Sequence, residues 1–473
     1  MSRVCTAAFV LALCVLGAVS QARANGRFPQ SNQIVFHPRD ARVISARTTF
    51  GLLVTRDAGA TWTWVCEEAL EFRPTEDPPI LRMGDGSTLV SLFAGLHRGT
   101  PDDCSFTEPD ATLGAAVVID NCLDPSNVDR AYALTSSGGR ENQPWRSDDD
   151  GVTWTPVGAP FEAPLLFETI EVAPSDPSRL YLTGAIPPTS TLPRQPFVFR
   201  STDGGTTWAR YPFALEATDT QRDKNIFVSA IDPSDPDRVY LRVSGDPDDR
   251  LLVSDDGGQT FREVLRQPLL RGFARSDDGA TVYAGSDVRG LFRSDDRGEA
   301  FAPVTGGIER VNCLAVRGDE LWACGNDYVD GFTLGRSRDR GTSFEPMLRF
   351  KFIAGVPECA ADAPVSALCG PRYPGLRAMF DPTGGADAGV SSDAGADVDA
   401  GALDAGAPPG RDGGARDAGA TPPKKSGGCA VMMRRSSCGA SSLRGVAALL
   451  GLAVLARWSR RRGRRAAPAL ESR

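Results

Sequence analysis

Ser201-Thr202-Asp203-Gly204-Gly205-Thr206-Thr207-Trp208 is a tight turn running into an aromatic strand. Serine and aspartate side chains accept backbone N–H groups inside such a turn, glycine takes the positive φ, and the tryptophan anchors the returning strand. The pattern Ser-x-Asp-x-Gly-x-Thr-aromatic recurs at Ser147 to Trp154 and Ser254 to Phe261. Looser copies run from Thr55 to Trp62, Ser294 to Phe301 and Ser337 to Phe344. A decayed copy fits Arg98 to Phe106, with Pro101 and Asp103 in place of the aspartate and glycine. The aromatic positions 62, 106, 154, 208, 261, 301 and 344 are then spaced by 44, 48, 54, 53, 40 and 43 residues.

A second turn repeats at the other end of the unit, in Ala173-Pro174-Ser175-Asp176-Pro177 and Asp232-Pro233-Ser234-Asp235-Pro236. Each separates two short runs rich in β-branched and aromatic residues, as in Phe227 to Ile231 and Val239 to Val243. Strand, Pro turn, strand, loop, strand, Asp turn, strand is one blade of a propeller. Seven units of about 45 residues need roughly 315 positions, and Asn32 to Phe350 supplies 319. The expected class is all-β: a seven-bladed β-propeller of four-stranded antiparallel blades over residues 25–350, with a cysteine-containing extension over 351–383.

The repeats resemble the Asp-box (BNR) repeats of bacterial sialidases, sortilin-like receptors, some glucan hydrolases and photosystem assembly factors. The resemblance covers residues 32 to about 350. It implies that Asp57, Asp149, Asp203, Asp256, Asp296 and Asp339 serve folding, since the Asp-box lies away from the active site in that family. Fold alone does not carry function.

The two ends read as addresses. Arg3, an apolar stretch from Val4 to Val19 and Ala22-Arg23-Ala24 make a secretory signal peptide, residues 1–24. Residues 384–428 repeat Asp-Ala-Gly with almost no large apolar side chain, a composition that stays disordered and acts as a spacer. Residues 429–473 carry Gly445 to Ala456 and then six arginines between Arg457 and Arg465, the pattern of a C-terminal transmembrane helix with its positive flank in the cytoplasm. With Gly427-Gly428-Cys429 ahead of it, this tail resembles the sorting signals of myxobacterial surface proteins (MYXO-CTERM type). The resemblance implies export and C-terminal processing machinery as partners, with Cys429 or Cys438 as the processed cysteine. The expected location is the cell surface, with the propeller outside the cytoplasm and the chain held by its membrane helix.

Composition narrows the function. The net charge is −8, but Thr421 to Arg473 carries +11, leaving −19 on the preceding 420 residues. So acidic a body argues against a nucleic-acid partner. Two histidines, His37 and His97, leave no His-rich metal site, and no cofactor is implied. In an oxidising compartment the body cysteines should pair. Cys313 and Cys324 fall opposite each other across a hairpin, Cys359 and Cys369 close a short step after the last blade, and Cys66 and Cys104 would join blades one and two. Cys122 is left as a buried free thiol.

No catalytic residue is assigned from sequence. The Phe-Arg-Ile-Pro motif of sialidases is missing, Phe72-Arg73-Pro74 being the nearest string, and no Gly-x-Ser-x-Gly elbow or phosphate loop occurs. Blades three to five carry longer loops on one face, from Thr135 to Trp145, Thr183 to Gln195 and Glu216 to Asn225. Loops elaborated on a rigid ring are where recognition concentrates. The expectation is a non-enzymatic binding or adhesion module for an extracellular protein or glycan, its site bordered by Arg140, Trp145, Arg194, Arg222 and Lys224. The alternative is a secreted glycoside hydrolase, exo-sialidase-like or glucan-hydrolase-like. Converging carboxylates about 5–10 Å apart in the central funnel would favour it.

Overall fold

The computed structural model describes residues 27–73 and 75–382. The expected signal peptide, the expected spacer over 384–428 and the tail with Cys429 and its apolar segment lie outside the described residues. Among the described residues no helix is long and apolar enough to cross a membrane.

Seven antiparallel sheets of four consecutive strands follow one another along the chain. They span residues 31–66, 80–107, 118–156, 166–212, 225–267, 270–303 and 313–348. The first strand of each blade lies innermost, and these seven strands ring a central channel. They are Ser31–Phe36, Ile80–Arg82, Val118–Asp124, Leu166–Ala173, Asn225–Ile231, Leu270–Arg275 and Cys313–Arg317. Apolar residues on both faces of each sheet pack against the neighbouring blades, which is why second and third strands such as Gly51–Thr55 and Val282–Ser286 are buried throughout. The architecture is the expected seven-bladed propeller.

The repeated turn has one hydrogen-bond pattern. At Ser201 to Trp208, the Ser201 hydroxyl donates to Asp203 Oδ1 at 2.8 Å. The Thr207 N–H and hydroxyl donate to the two Asp203 oxygens at 2.9 and 2.7 Å. Gly205 N–H donates to Ser201 Oγ at 2.8 Å, and Trp208 Nε1 to the Gly205 carbonyl at 3.0 Å. Those donors, the Thr207 hydroxyl foremost, hold the Asp203 carboxyl down at about 2. The glycine is needed for space as well as for φ. Gly151 sits at φ 81°, and a Cβ there would meet Leu89 of the preceding blade at 2.7 Å.

The turn in blade two departs from its expected reading. Thr100 Oγ1 donates to Asp102 Oδ1 at 2.6 Å and accepts from Cys104 N–H at 3.2 Å. Asp102, not Pro101, therefore takes the aspartate role, and Cys104, not Asp103, takes the glycine position. The turn is one residue shorter, which hid the register. Asp103 instead holds the left-handed position before it (φ 60°) and is buried against Arg82 and Thr88.

No blade mixes strands from the two ends of the ring, so closure falls to the segment after blade seven. Ala354 N–H donates to the Trp62 carbonyl at 2.8 Å and Trp64 N–H to the Gly355 carbonyl at 2.8 Å, laying this segment along the outer strand of blade one. Helix Pro364–Cys369 then packs on helix Glu67–Leu70. The disulfides follow from this return: Cys66 bonds Cys369 and Cys104 bonds Cys359. They replace the expected pairs Cys66–Cys104 and Cys359–Cys369, because the extension lies across blades one and two and brings its cysteines to theirs. Cys313 and Cys324 are register partners and are bonded. Cys122 is free and buried, and burial pushes its thiol well up.

Candidate active site

The channel opens on the face carrying the long loops into a cavity of about 430 Å³ between blades two and five. Four carboxylate-bearing residues line it: Glu76, Asp77, Asp120 and Glu168. The inner strands place them by bulging. In blade four the register runs Phe167 to Gly184 and Thr169 to Thr183, so Glu168 is an extra residue. A bulge re-aims the side chain it inserts, and Glu168 lines the cavity. Blade three has the same irregularity at Ile119, next to Asp120. Asn32, Ser229 and Arg271 are the extra residues of blades one, five and six.

Asp120 Oδ2 accepts the Ile170 N–H at 3.0 Å. Burial pushes its carboxyl up to about 7, against the pull of that N–H and of the Arg47 charge. Arg47 is itself half-buried, and desolvation lowers its guanidinium to about 10. It donates to Asn32 Oδ1 at 2.8 Å and to the Asp77 and Pro78 carbonyls at 2.6 and 2.9 Å, so no cation is hydrogen-bonded to Asp120.

Glu168 lies across the same cavity on the next blade. Its Oε2 accepts the Ile226 N–H at 3.0 Å and its Oε1 is held by the Arg194 guanidinium. Burial outweighs the arginine and raises this carboxyl to about 7. One turn of strand further down, burial and then the Asp120 charge raise Glu171 to about 8. Glu76 is 3% exposed and neither of its carboxylate oxygens has a hydrogen-bond partner. Two carboxyls titrating near neutrality in one cavity are the equipment of general acid–base catalysis.

The five expected site residues do not form one site. Arg194 ion-pairs with Glu168 at the cavity wall. Trp145 is 9% exposed and packs with Leu89, Leu96 and Val118 between blades two and three, so it belongs to the core. Its strand alternation turned it inward although it closes a loop. Arg140, Arg222 and Lys224 are exposed on the same face, outside the cavity lining. Asp120 and Glu168 were missed, although each is an acid that follows two apolar residues at the start of an inner strand, a signal present in Val118-Ile119-Asp120 and Leu166-Phe167-Glu168. Among the described residues, no group of three or more His, Cys, Asp or Glu is placed to hold a metal ion.

No family model matches the chain. The oligoxyloglucan-reducing end-specific xyloglucanase of Emericella nidulans is 29% identical over 214 residues, which cover 42% of this chain and 25% of that protein. The chain thus matches about a quarter of the length of this curated relative. Among solved structures, an ancestral GH74 enzyme aligns over 68% of this chain and 46% of its own, at 13% identity and a TM-score of 0.49. The GH74 xyloglucanase of Xanthomonas campestris aligns over 66% and 64%, at 15% identity and a TM-score of 0.31. The sequence similarity to a xyloglucanase overturns the expectation of a non-enzymatic adhesion module and favours the hydrolase alternative.

Proposed function

We propose that this propeller is a glycoside hydrolase acting on a glucan-type polysaccharide at the channel mouth. The observation that carries the reading is the pair Asp120 and Glu168, two carboxyls raised to about 7 in one cavity. Asp120, with no hydrogen-bonded cation, keeps its proton and gives it to the glycosidic oxygen as the bond to the anomeric carbon breaks. Glu168, held by Arg194, is the anionic partner that takes a proton from the attacking water. Arg140, Arg222 and Lys224 line the approach outside the cavity.

The similarity to a xyloglucanase supports this reading over the matched quarter of that protein. The same proposal takes the six regular turns as Asp-boxes, which their shared hydrogen bonding supports. The terminal sequences support export, a membrane-held C-terminus and processing at Cys429 or Cys438.

The test is reducing-end release from xyloglucan oligosaccharides and β-glucans. Asp120→Asn and Glu168→Gln should each lower kcat by about 10²–10⁴-fold, with melting curves no lower than wild type. Undiminished turnover in both variants, or none by the wild type on any glucan, overturns the proposal.

A further inference from the structure

A second cavity of about 300 Å³ adjoins the first, sharing Thr169 and Phe227, and its charge is the reverse. Arg242 and Arg271 line it, together with Asn32 and Ser229. Arg271 is the extra residue of the blade-six bulge, so the backbone irregularity that aims Glu168 into the first cavity aims a guanidinium into the second. Arg242 lies over the Phe227 ring, 4.6 Å from its centroid, and makes one hydrogen bond, from Nη1 to the Leu270 carbonyl at 2.9 Å.

Neither guanidinium is saturated. The nearest carboxylate to Arg242 is Asp249 at 3.8 Å, and that aspartate already accepts the Gly245 N–H. Arg271 meets Asp287 only at 3.7 Å. Both distances exceed a hydrogen bond. Elsewhere in the ring arginines are tied closely, as Arg82 is to Asp103 at 2.7 Å and Arg47 to three carbonyl groups and Asn32. Burial lowers the Arg242 guanidinium, the Asp249 charge pulls it back up, and the Arg271 charge lowers it again, so the two arginines feel each other's field. A half-buried Arg242 and an exposed Arg271, both with spare donors, are stabilised by an anion that bridges them, and a planar or tetrahedral oxyanion matches the guanidinium fork.

We propose that the substrate carries an anionic group, a uronate carboxylate or a sulfate ester, which Arg242 and Arg271 bind one sugar unit from the bond set between Asp120 and Glu168. This inference rests on the hydrolase reading for its position and on the arginine pair for its chemistry. The acidity of the body as a whole does not oppose it, because the field inside a narrow channel is set by the charges lining it.

The experiment measures binding and turnover separately, using the full chain. Binding of tetragalacturonate, a sulfated disaccharide and a neutral xyloglucan heptasaccharide is measured by calorimetry on the Asp120→Asn/Glu168→Gln variant. One or both anionic probes should bind at least tenfold tighter than the neutral one, and the preferred probe identifies the anion. Arg242→Gln/Arg271→Gln should remove that preference, while Arg242→Lys with native Arg271 keeps part of it and controls for folding. Equal binding of neutral and anionic sugars, or a preference that survives loss of both arginines, overturns the inference. Tight anionic binding without wild-type turnover upholds it and refutes the hydrolase. Turnover of neutral sugar alone upholds the hydrolase and refutes the inference.

Discussion

Closing a ring whose blades share no strand depends on the clasp made by residues 351–380, and removing its disulfides gives a calculable effect. Cys66–Cys369 and Cys104–Cys359 span 303 and 255 residues, against 11 for Cys313–Cys324. With Cys104–Cys359 intact, the other clasp bridge closes only about 50 additional residues, so Cys66→Ala/Cys369→Ala should cost about 4 kcal/mol by loop-closure entropy. Removing Cys104–Cys359 as well frees a loop of 255 residues and adds about 5–6 kcal/mol. That total reaches the whole stability of an ordinary domain, about 5–15 kcal/mol. Removing the hairpin bridge with Cys313→Ala/Cys324→Ala should cost about 3 kcal/mol. Urea unfolding in oxidising buffer, followed by tryptophan fluorescence, orders the three variants. If the four-alanine clasp variant is as stable as the hairpin variant, the clasp does not close the ring and the reasoning fails.

Three further outcomes are expected. Gly151→Ala should destabilise by about 2–4 kcal/mol from left-handed strain and overpacking against Leu89, measured by denaturant midpoint. Asp120, Glu168 and Glu171 have folded-state values raised to about 7, 7 and 8, so the folded chain holds protons that the unfolded chain releases from about pH 4. Stability should therefore fall as pH rises from about 4.5 to 8, and Glu171→Gln should flatten that slope in melting scans. Below about pH 4 the sign reverses, because the depressed carboxyls of Asp203 and Asp339, near 2, lose their contribution as they protonate. Arg194→Gln removes the cation that lowers Glu168, so its carboxyl rises and the acidic limb of the kcat/KM profile should move to higher pH. Activity at pH 7 should drop about 3–10-fold, and raising the pH should not restore it fully, because the Asp120 acid deprotonates from about pH 7.

The blade order was legible because each turn is local: Ser201, Asp203, Gly205 and Trp208 satisfy one another within eight residues. Cys313 and Cys324 were legible for the same reason, being counted from one hairpin. The pairing of Cys66 with Cys369 was not, since it depends on where a chain of some 300 residues returns after closing a ring. Blade two misled because Thr100 to Phe106 lacks one residue of the pattern. The candidate site was hidden for a different reason. A bulge such as that at Glu168 shows only in register, and period-two patterning then assigns the flanking residues to the wrong side. Trp145 looked like a loop residue, yet it is the second residue of strand Pro144–Ser147 and faces the core. Arg194 was legible as a loop arginine, but not as the partner of a carboxylate 26 positions away.

The catalytic assignment is tested most directly by a crystal structure of the Asp120→Asn chain soaked with an oligosaccharide. The account predicts sugar in the channel mouth, with a glycosidic oxygen within hydrogen-bonding distance of the residue-120 amide and the Glu168 carboxylate on the other side of that bond. Sugar bound on the outer rim of the blades, with the channel mouth empty, would contradict it.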